Sequence, residues 1–308
     1  MDFLPCVTKI INYGKKTVTQ FAINALQKCS DLMALGHYSD STRINYLKEL
    51  RFLFQYYPDI RPSEITYEMT VNYLVYLVKT MGCSRVKCKM AAQSFAFFFK
   101  HALNKPYSTP AVLFPAHEHK LPAVLSQEEM RSVLNSIVNN KHRILLSLMY
   151  STGIRLMEIA RIKITDIESN QMRIKITSGK GKKDRYVLLS PLLLEELRFY
   201  FIEYRPEIYL FNGAGKGKRY AARTIQHIMQ TALAKAGLSN KNYSIHSIRH
   251  SFATHLLDHG ADLQAIQQLM GHNSINQTVQ YLHLSTKRLQ SIVNPYDVIM
   301  QKSTNEKC

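Results

Sequence analysis

Four prolines, Pro106, Pro110, Pro115 and Pro122, fall within residues 105–125. Proline fixes its own φ and donates no backbone hydrogen bond, so neither a continuous helix nor a central strand can run through such a stretch. Residues 105–125 therefore read as a linker. They divide the 308-residue chain into two parts, each long enough for a core of its own. The expected organisation is an N-terminal segment over 1–16, a helical domain over 17–104, the linker, a second domain over 126–292 and a tail over 293–308.

The first domain carries helical periodicity. Asp40 or Ser41 is placed to cap a helix whose apolar positions include Ile44, Leu47, Leu50, Phe52 and Leu53, and Pro58 and Pro62 end it. A second run, 64–79, places Met69, Val71, Leu74, Val75 and Leu77 at helical spacing. A third helix is expected over 84–103, where Phe95, Phe97, Phe98 and Phe99 read as core. Arg85, Lys87, Lys89 and Lys100 lie on it beside the aromatic run, as a solvated face or a phosphate-contacting one.

The second domain opens with Ser126-Gln-Glu-Glu129, a capping box for a new helix. The pattern then changes. Residues 172–177 alternate as MRIKIT and 185–189 read RYVLL, two strands of a β-hairpin with its turn over 178–184. Helical pattern returns over 221–292, broken at Gly237, Gly260 and Gly271. The fold class expected is mainly α with a small β-hairpin or sheet in the second domain.

Charge narrows the partners. Lys and Arg number 40 against 22 Asp and Glu, a formal net charge of +18. Both the first 110 residues and the remainder are basic, so the excess is no localised tail. A chain that touches a polyanion with both domains has this distribution. An anionic membrane surface is the alternative partner, and charge alone does not separate DNA from RNA. No RNA-binding module signature is present, and no apolar run is long enough to cross a membrane. The five cysteines include no CxxC and no Cys/His pair at zinc spacing, which fits a reducing compartment. No signal-peptide pattern stands at the N-terminus, so a cytoplasmic location is expected.

Four segments carry candidate chemistry. In Tyr150-Ser-Thr-Gly-Ile-Arg155-Leu-Met-Glu158 a helix ends at Gly153 and another begins near Arg155. A charge at such a junction needs an anionic partner, either a ligand or Glu158 in an ion pair at i+3. The hairpin tip holds Gly179-Lys180-Gly181-Lys182-Lys183, whose glycines permit a sharp turn or a close approach to phosphate, although most such turns are simply solvated. In His246-Ser-Ile-Arg249 the two polar residues share a helix face. Finally, Leu269-Met-Gly-His272 precedes Tyr281 by nine residues. Taken singly, His272 reads as a hydrogen-bonded loop residue and Tyr281 as core.

In this order the segments resemble the catalytic signature of the tyrosine recombinases: GIR at Arg155, GKG at Lys180, HSIRHSFATHLL over 246–257, LMGH at His272, then Tyr281. The match spans about residues 124–290. The helices before the linker resemble that family's core-binding domain more loosely. Within the family the chain is most similar to Xer-type and integron-type or transposon-associated recombinases. The resemblance implies an enzyme that cuts and rejoins DNA strands without ATP or metal and needs no cofactor. Tyr281 would be the nucleophile that forms a 3′-phosphotyrosine. Arg155 and Arg249 would grip the phosphate, His272 would donate a hydrogen bond to it, and His246 would assist proton transfer. Lys180 would be the general acid to the departing 5′ oxygen, with Lys182 as its rival. Arg43, Arg85, Lys87, Lys89, Lys182 and Lys183 are candidates for DNA contacts. The expected partners are duplex recombination sites clamped between the two domains and three further copies of the chain, making a tetramer on synapsed DNA, with no membrane. The expected location is a bacterial cytoplasm at the nucleoid. A type IB topoisomerase-like enzyme and a DNA-binding accessory protein without catalysis are the alternatives.

Overall fold

The computed structural model describes residues 18–110, 122–177, 184–213, 215 and 217–282. The chain divides into two compact units, Met1–His119 and Lys120–Cys308.

The first unit is built from helices α1 (Gln20–Leu35), α2 (Asp40–Tyr56), α3 (Tyr67–Lys79) and α4 (Arg85–Phe97). A hydroxyl caps each one. Thr19, Ser39, Thr66 and Ser84 accept from the amides of Ala22, Thr42, Met69 and Lys87, which satisfies donors that the first helical turn leaves unpaired. The cap of α2 is thus Ser39, one residue before the expected pair. The expected helix over 64–79 is interrupted: Pro62–Glu64 form a 3-10 turn, and α3 restarts behind Thr66. The helix expected over 84–103 is α4 followed by a π turn, Phe98–Ala102. Phe95, Phe97, Phe98 and Phe99 point around most of the helix circumference, and all four are buried, so this end of the helix is enclosed on every side. Leu26, Met33, Leu47, Leu50, Phe54 and Leu74 complete that core.

The second unit begins at the Ser126 capping box. Ser126 Oγ accepts from the Glu129 amide at 3.1 Å, while Glu129 accepts from the Ser126 amide at 2.9 Å. It opens α5 (Gln127–Asn135), followed by α6 (Asn140–Thr152) and the one-turn α7 (Leu156–Ile159). Three antiparallel strands follow in the order β1 (Ile167–Glu168), β2 (Arg173–Ile176) and β3 (Arg185–Leu188). Ile174 pairs with Val187 and Ile176 with Arg185. Side chains alternate across the sheet, so Ile174, Ile176 and Val187 are buried while Tyr186 and Leu188 are exposed. The expected hairpin is present, and β1 extends it; a two-residue strand carries too little pattern to be read from sequence. The tip over 178–183 lies outside the described residues.

The unit closes with α8 (Pro191–Tyr204), α9 (Ala222–Lys235), α10 (Ile245–Asp258), α11 (Leu263–Met270) and α12 (Asn276–Val279). The apolar face of α6 packs against α8 and α10, with Leu145, Leu146, Leu148 and Met149 in the main core. A smaller cluster, Ala253, Leu257, Ile266, Met270 and Tyr281, joins the second half of α10 to α11. The fold is therefore mainly helical with a small antiparallel sheet, and among the described residues no helix is long and apolar enough to cross a membrane.

Candidate active site

Two glycines end the helices that deliver the site. Gly153 terminates α6 at φ +62°, and a Cβ there would lie 2.2 Å from the Phe252 ring. Gly271 terminates α11 at φ +60°, and a Cβ there would lie 2.8 Å from Cδ of Arg185. Only glycine allows both the left-handed turn and the close approach. The first turn places Arg155 at the N-cap of α7, and the second places His272 just beyond α11.

The guanidiniums of Arg155 and Arg249 meet at these turns. Arg155 Nη2 donates to the Gly271 carbonyl at 2.7 Å. Arg249 Nη2 donates to the neighbouring Met270 carbonyl at 2.6 Å, and its Nη1 donates to the Gly153 carbonyl. Arg155 also makes the ion pair with Glu158 that its sequence position allowed, at 3.1 Å. Arg185 grips the same carboxylate from β3 with two bonds of 2.9 and 2.8 Å. Burial and the nearby charge of Arg155 push Arg249 down to about 10, so it remains a cation at neutral pH. Burial alone would raise the Glu158 carboxyl. The hydrogen bonds and charge of Arg185, with the amide and charge of Arg155, outweigh that and hold it at about 2.

Tyr281 is 1 % exposed. Its hydroxyl lies 3.1 Å from His250 Nδ1, and its ring stacks on His272 at a centroid distance of 6.2 Å. Burial raises the phenol, and the charges of Arg249 and Arg155 pull in the opposite direction. His272 Nδ1 is 2.9 Å from the Thr278 hydroxyl. Burial first, then Arg249 and Arg155, push His272 down to about 4, leaving it neutral at pH 7. Thr278 is fully buried three residues before Tyr281, so it ties the turn after α11 to the segment that carries Tyr281.

Arg155, Arg249, His272 and Tyr281 thus converge from α7, α10, the α11 turn and the end of α12. His246 lies exposed on the first turn of α10, beside His250 on the next turn, and its positive form would disfavour a charge on that residue. Lys180, Lys182 and Lys183 lie outside the described residues. In the first unit, Arg43 donates to the Ser30 hydroxyl at 3.3 Å and pairs with Asp40 at 3.5 Å. Lys87 has an internal use: it pairs with the buried Glu49 and its ammonium stands 5.2 Å from the centre of the Phe52 ring. On a helix Lys87 points away from Arg85 and Lys89, which are four apart and share a face.

Sequence reading missed two polar partners of this site. His250 stands four residues after His246, one turn along α10, which is the signal that could have found it. Arg185 reaches Glu158 only through tertiary folding, and no local pattern marks it.

The arrangement gathers two guanidiniums and a histidine around a buried tyrosine. The model of the Phage integrase family matches residues 123–288, and that of the Phage integrase N-terminal SAM-like domain matches 25–109. The chain is 34% identical to tyrosine recombinase XerC of Syntrophus aciditrophicus, over 82% of this chain and 90% of that one. It is 31% identical to tyrosine recombinase XerD of Staphylococcus epidermidis, over 84% and 92%. Among solved structures, the XerH site-specific recombinase bound to a palindromic difH substrate superposes with a TM-score of 0.65 at 23% identity, covering 92% of each chain. A lambda integrase tetramer bound to a Holliday junction superposes with a TM-score of 0.68 at 16% identity, covering 96% of this chain and 84% of that one. A family model that covers more than half of the chain, and relatives that span most of its length, place it: the chain belongs to the phage integrase family and is a tyrosine recombinase.

Proposed function

We propose that this recombinase cuts and rejoins duplex DNA at defined sites through a covalent bond between Tyr281 and a 3′ phosphate. The observation that carries the residue assignment is the convergence of Arg155 and Arg249 on the consecutive carbonyls of Gly271 and Met270, beside the Tyr281 ring. A phosphodiester resists nucleophiles because it is an anion, and more charge gathers on its non-bridging oxygens in the transition state. Two guanidiniums held in place before substrate arrives stabilise that charge without reorganising. Such donors contribute about 3–4 kcal/mol each.

In the first step the Tyr281 oxygen bonds to phosphorus and the bond from phosphorus to the 5′ oxygen breaks. The phenol proton leaves by way of His246, and Lys180 protonates the departing oxygen, with Lys182 as its rival. With Thr278 donating to Nδ1, His272 carries its proton on Nε2 and donates it in a hydrogen bond to the phosphate. A 5′ hydroxyl of another strand then attacks the phosphotyrosine, restores a phosphodiester and releases Tyr281. Each step exchanges one phosphoester for another, so no ATP is consumed.

Exchange between two duplexes requires four cuts, which supports four protomers on synapsed DNA; the lambda integrase neighbour is such a tetramer. Arg43, Arg85, Lys89, Lys182 and Lys183 serve as phosphate contacts, and residues 17–104 form the core-binding domain. The full recombinase signature favours this reading over a topoisomerase-like enzyme or an accessory protein without catalysis. The bacterial relatives support a bacterial cytoplasm as its location.

The test incubates the protein with nicked duplexes taken from the DNA that flanks its gene, followed by denaturing electrophoresis. A protein–DNA adduct with a free 5′ hydroxyl supports the reading. An adduct through a 5′ phosphate, or none on any fragment the protein binds, overturns it.

A further inference from the structure

The mechanism above gives no task to Arg185, whose guanidinium touches the segments that hold Arg155. Arg185 opens β3, and its side chain is 11% exposed against 12% for Glu158. Its fork holds both oxygens of Glu158, and its Nε donates in a third direction, to the Leu269 carbonyl at 3.0 Å. Gly271 packs directly on its stem. Glu158 in turn accepts from the Arg155 amide at 2.7 Å and from Arg155 Nη1 at 3.1 Å. Arg185 therefore joins three segments. One is the junction that carries Arg155. Another is the turn whose carbonyls hold both arginines and which leads into His272. The third is the strand that leaves the hairpin tip bearing Lys180.

We infer that Arg185 is a positioning residue for strand cleavage: it fixes Glu158, and through it Arg155, against the Leu269–His272 turn, and sets the root of the β2–β3 hairpin in the same frame. Only a guanidinium makes a two-pronged grip and a third bond at once; an ammonium offers the charge without the fork. Buried ion pairs contribute little to stability once desolvation is counted. What this one contributes is geometry, where misplacement of a phosphate-gripping group is costly.

Several charged groups face Glu158. Arg155 comes from its own turn, Arg185 from β3, and Arg249 from α10 acts on it at longer range. Arg161, Lys163, Asp166, Lys175 and Arg219 line the open cleft beside it. Among these, Arg185 is the largest influence opposing burial. Without it, burial raises the carboxyl, and a protonated Glu158 loses its hold on Arg155. Cleavage by an Arg185 variant must then weaken as pH falls, in a range where the wild-type protein keeps Glu158 ionised.

The inference rests on the proposed role of Arg155, so Arg155→Ala is measured in parallel. The assay is single-turnover cleavage of a nicked duplex that the wild-type protein cleaves, at saturating protein, from about pH 5 to about pH 8. Arg185→Ala should bind this duplex as wild type does and cleave it on the order of tenfold to a hundredfold more slowly, as for other groups that orient a reactive neighbour. Its rate relative to wild type should also fall further as pH drops, a loss added to any acid dependence that wild type shows through its own histidines. Arg185→Lys should fall between the two, and it carries the test alone if Arg185→Ala does not fold. Adding Glu158→Gln to Arg185→Lys should remove that added pH dependence, since the carboxyl that holds Arg155 is gone, and leave only the pH dependence of wild type. Wild-type rates and pH profile in a folded Arg185→Lys overturn the inference, as does an added pH dependence, beyond that of wild type, that survives in the double variant. If Arg155→Ala itself cleaves normally, it is the assignment of Arg155 that fails.

Discussion

The hydroxyl of Tyr281 stands 3.1 Å from Nδ1 of His250, with the two rings 5.8 Å apart at 48°. Burial raises the phenol, while burial, His246 and Arg249 push His250 down to about 4, so both are neutral at pH 7 and the proton stays on oxygen. The contact is a neutral hydrogen bond that seats Tyr281 between α10 and α11. A buried hydroxyl that loses such a partner costs about 1–3 kcal/mol. His250→Ala should lower stability within that range. In a cycle with Tyr281→Phe the two changes should couple by about 1 kcal/mol in chemical denaturation. Simple additivity would show that the hydrogen bond holds nothing.

Tyr281→Phe removes one oxygen from a buried ring and leaves its apolar contacts with Met270 and Leu257 in place. The variant should fold and bind duplex DNA as wild type does, yet form no covalent adduct with a nicked duplex. A persistent adduct on a denaturing gel would move the nucleophile to another residue.

Arg155→Ala and Arg249→Ala should each slow cleavage by about a hundredfold to a thousandfold at saturating protein, the range for loss of one preorganised donor, with much smaller losses of affinity. Arg249 is also the anchor of the Gly153 and Met270 carbonyls, so Arg249→Lys is the safer variant for folding. Rates restored in full by excess protein would reduce both to ordinary phosphate contacts.

What could be read in the sequence depended on how local each signal is. The helix ends at Gly153 and Gly271, the Ser126 capping box and the β2–β3 alternation are set by residues a few positions apart, and the structure has them as expected. Arg155, Arg249, His272 and Tyr281 come from separate segments and became legible only as an ordered set. The Arg185 grip on Glu158 spans 27 positions and leaves no periodic trace. The pairing of Lys87 with Glu49 spans 38, and there a charged residue that suggested a phosphate contact turned inward. The π turn at Phe98–Ala102 continues α4 past Phe97, a local change in the hydrogen-bond ladder that the apolar spacing of 84–103 does not express.

Stability should fall on mild acidification. His250 and His272 both sit at about 4 in the fold, below the ordinary histidine value near 6.5. Between those values the unfolded chain binds more protons than the native one, so unfolding becomes easier as pH drops. The stabilisation is therefore fully present above about pH 6.5 and is lost progressively toward pH 4. Thermal denaturation from neutral pH downward should show this slope, and His272→Asn should flatten part of it. An unchanged slope in that variant would remove His272 as a source.

The last expectation joins the leaving group to the source of charge. Arg155 and Arg249 sit beside the tyrosine as fixed cations, a role that divalent ions fill in other phosphoryl-transfer sites, so cleavage should proceed in the presence of a chelator. The leaving 5′ oxygen still needs a proton, and an ammonium on the connection between β2 and β3 can deliver one. Lys180→Ala should then cleave ordinary DNA slowly. It should recover when the bridging 5′ oxygen is replaced by sulfur, because a thiolate departs without protonation. Recovery of Lys182→Ala instead of Lys180→Ala would shift the acid by two positions along the same connection. Recovery of neither would move the proton donor off the hairpin, toward the histidines of α10 and the α11 turn. Loss of cleavage in chelator with DNA binding intact would mean that the arginines do not suffice, and that a metal ion shares the phosphate.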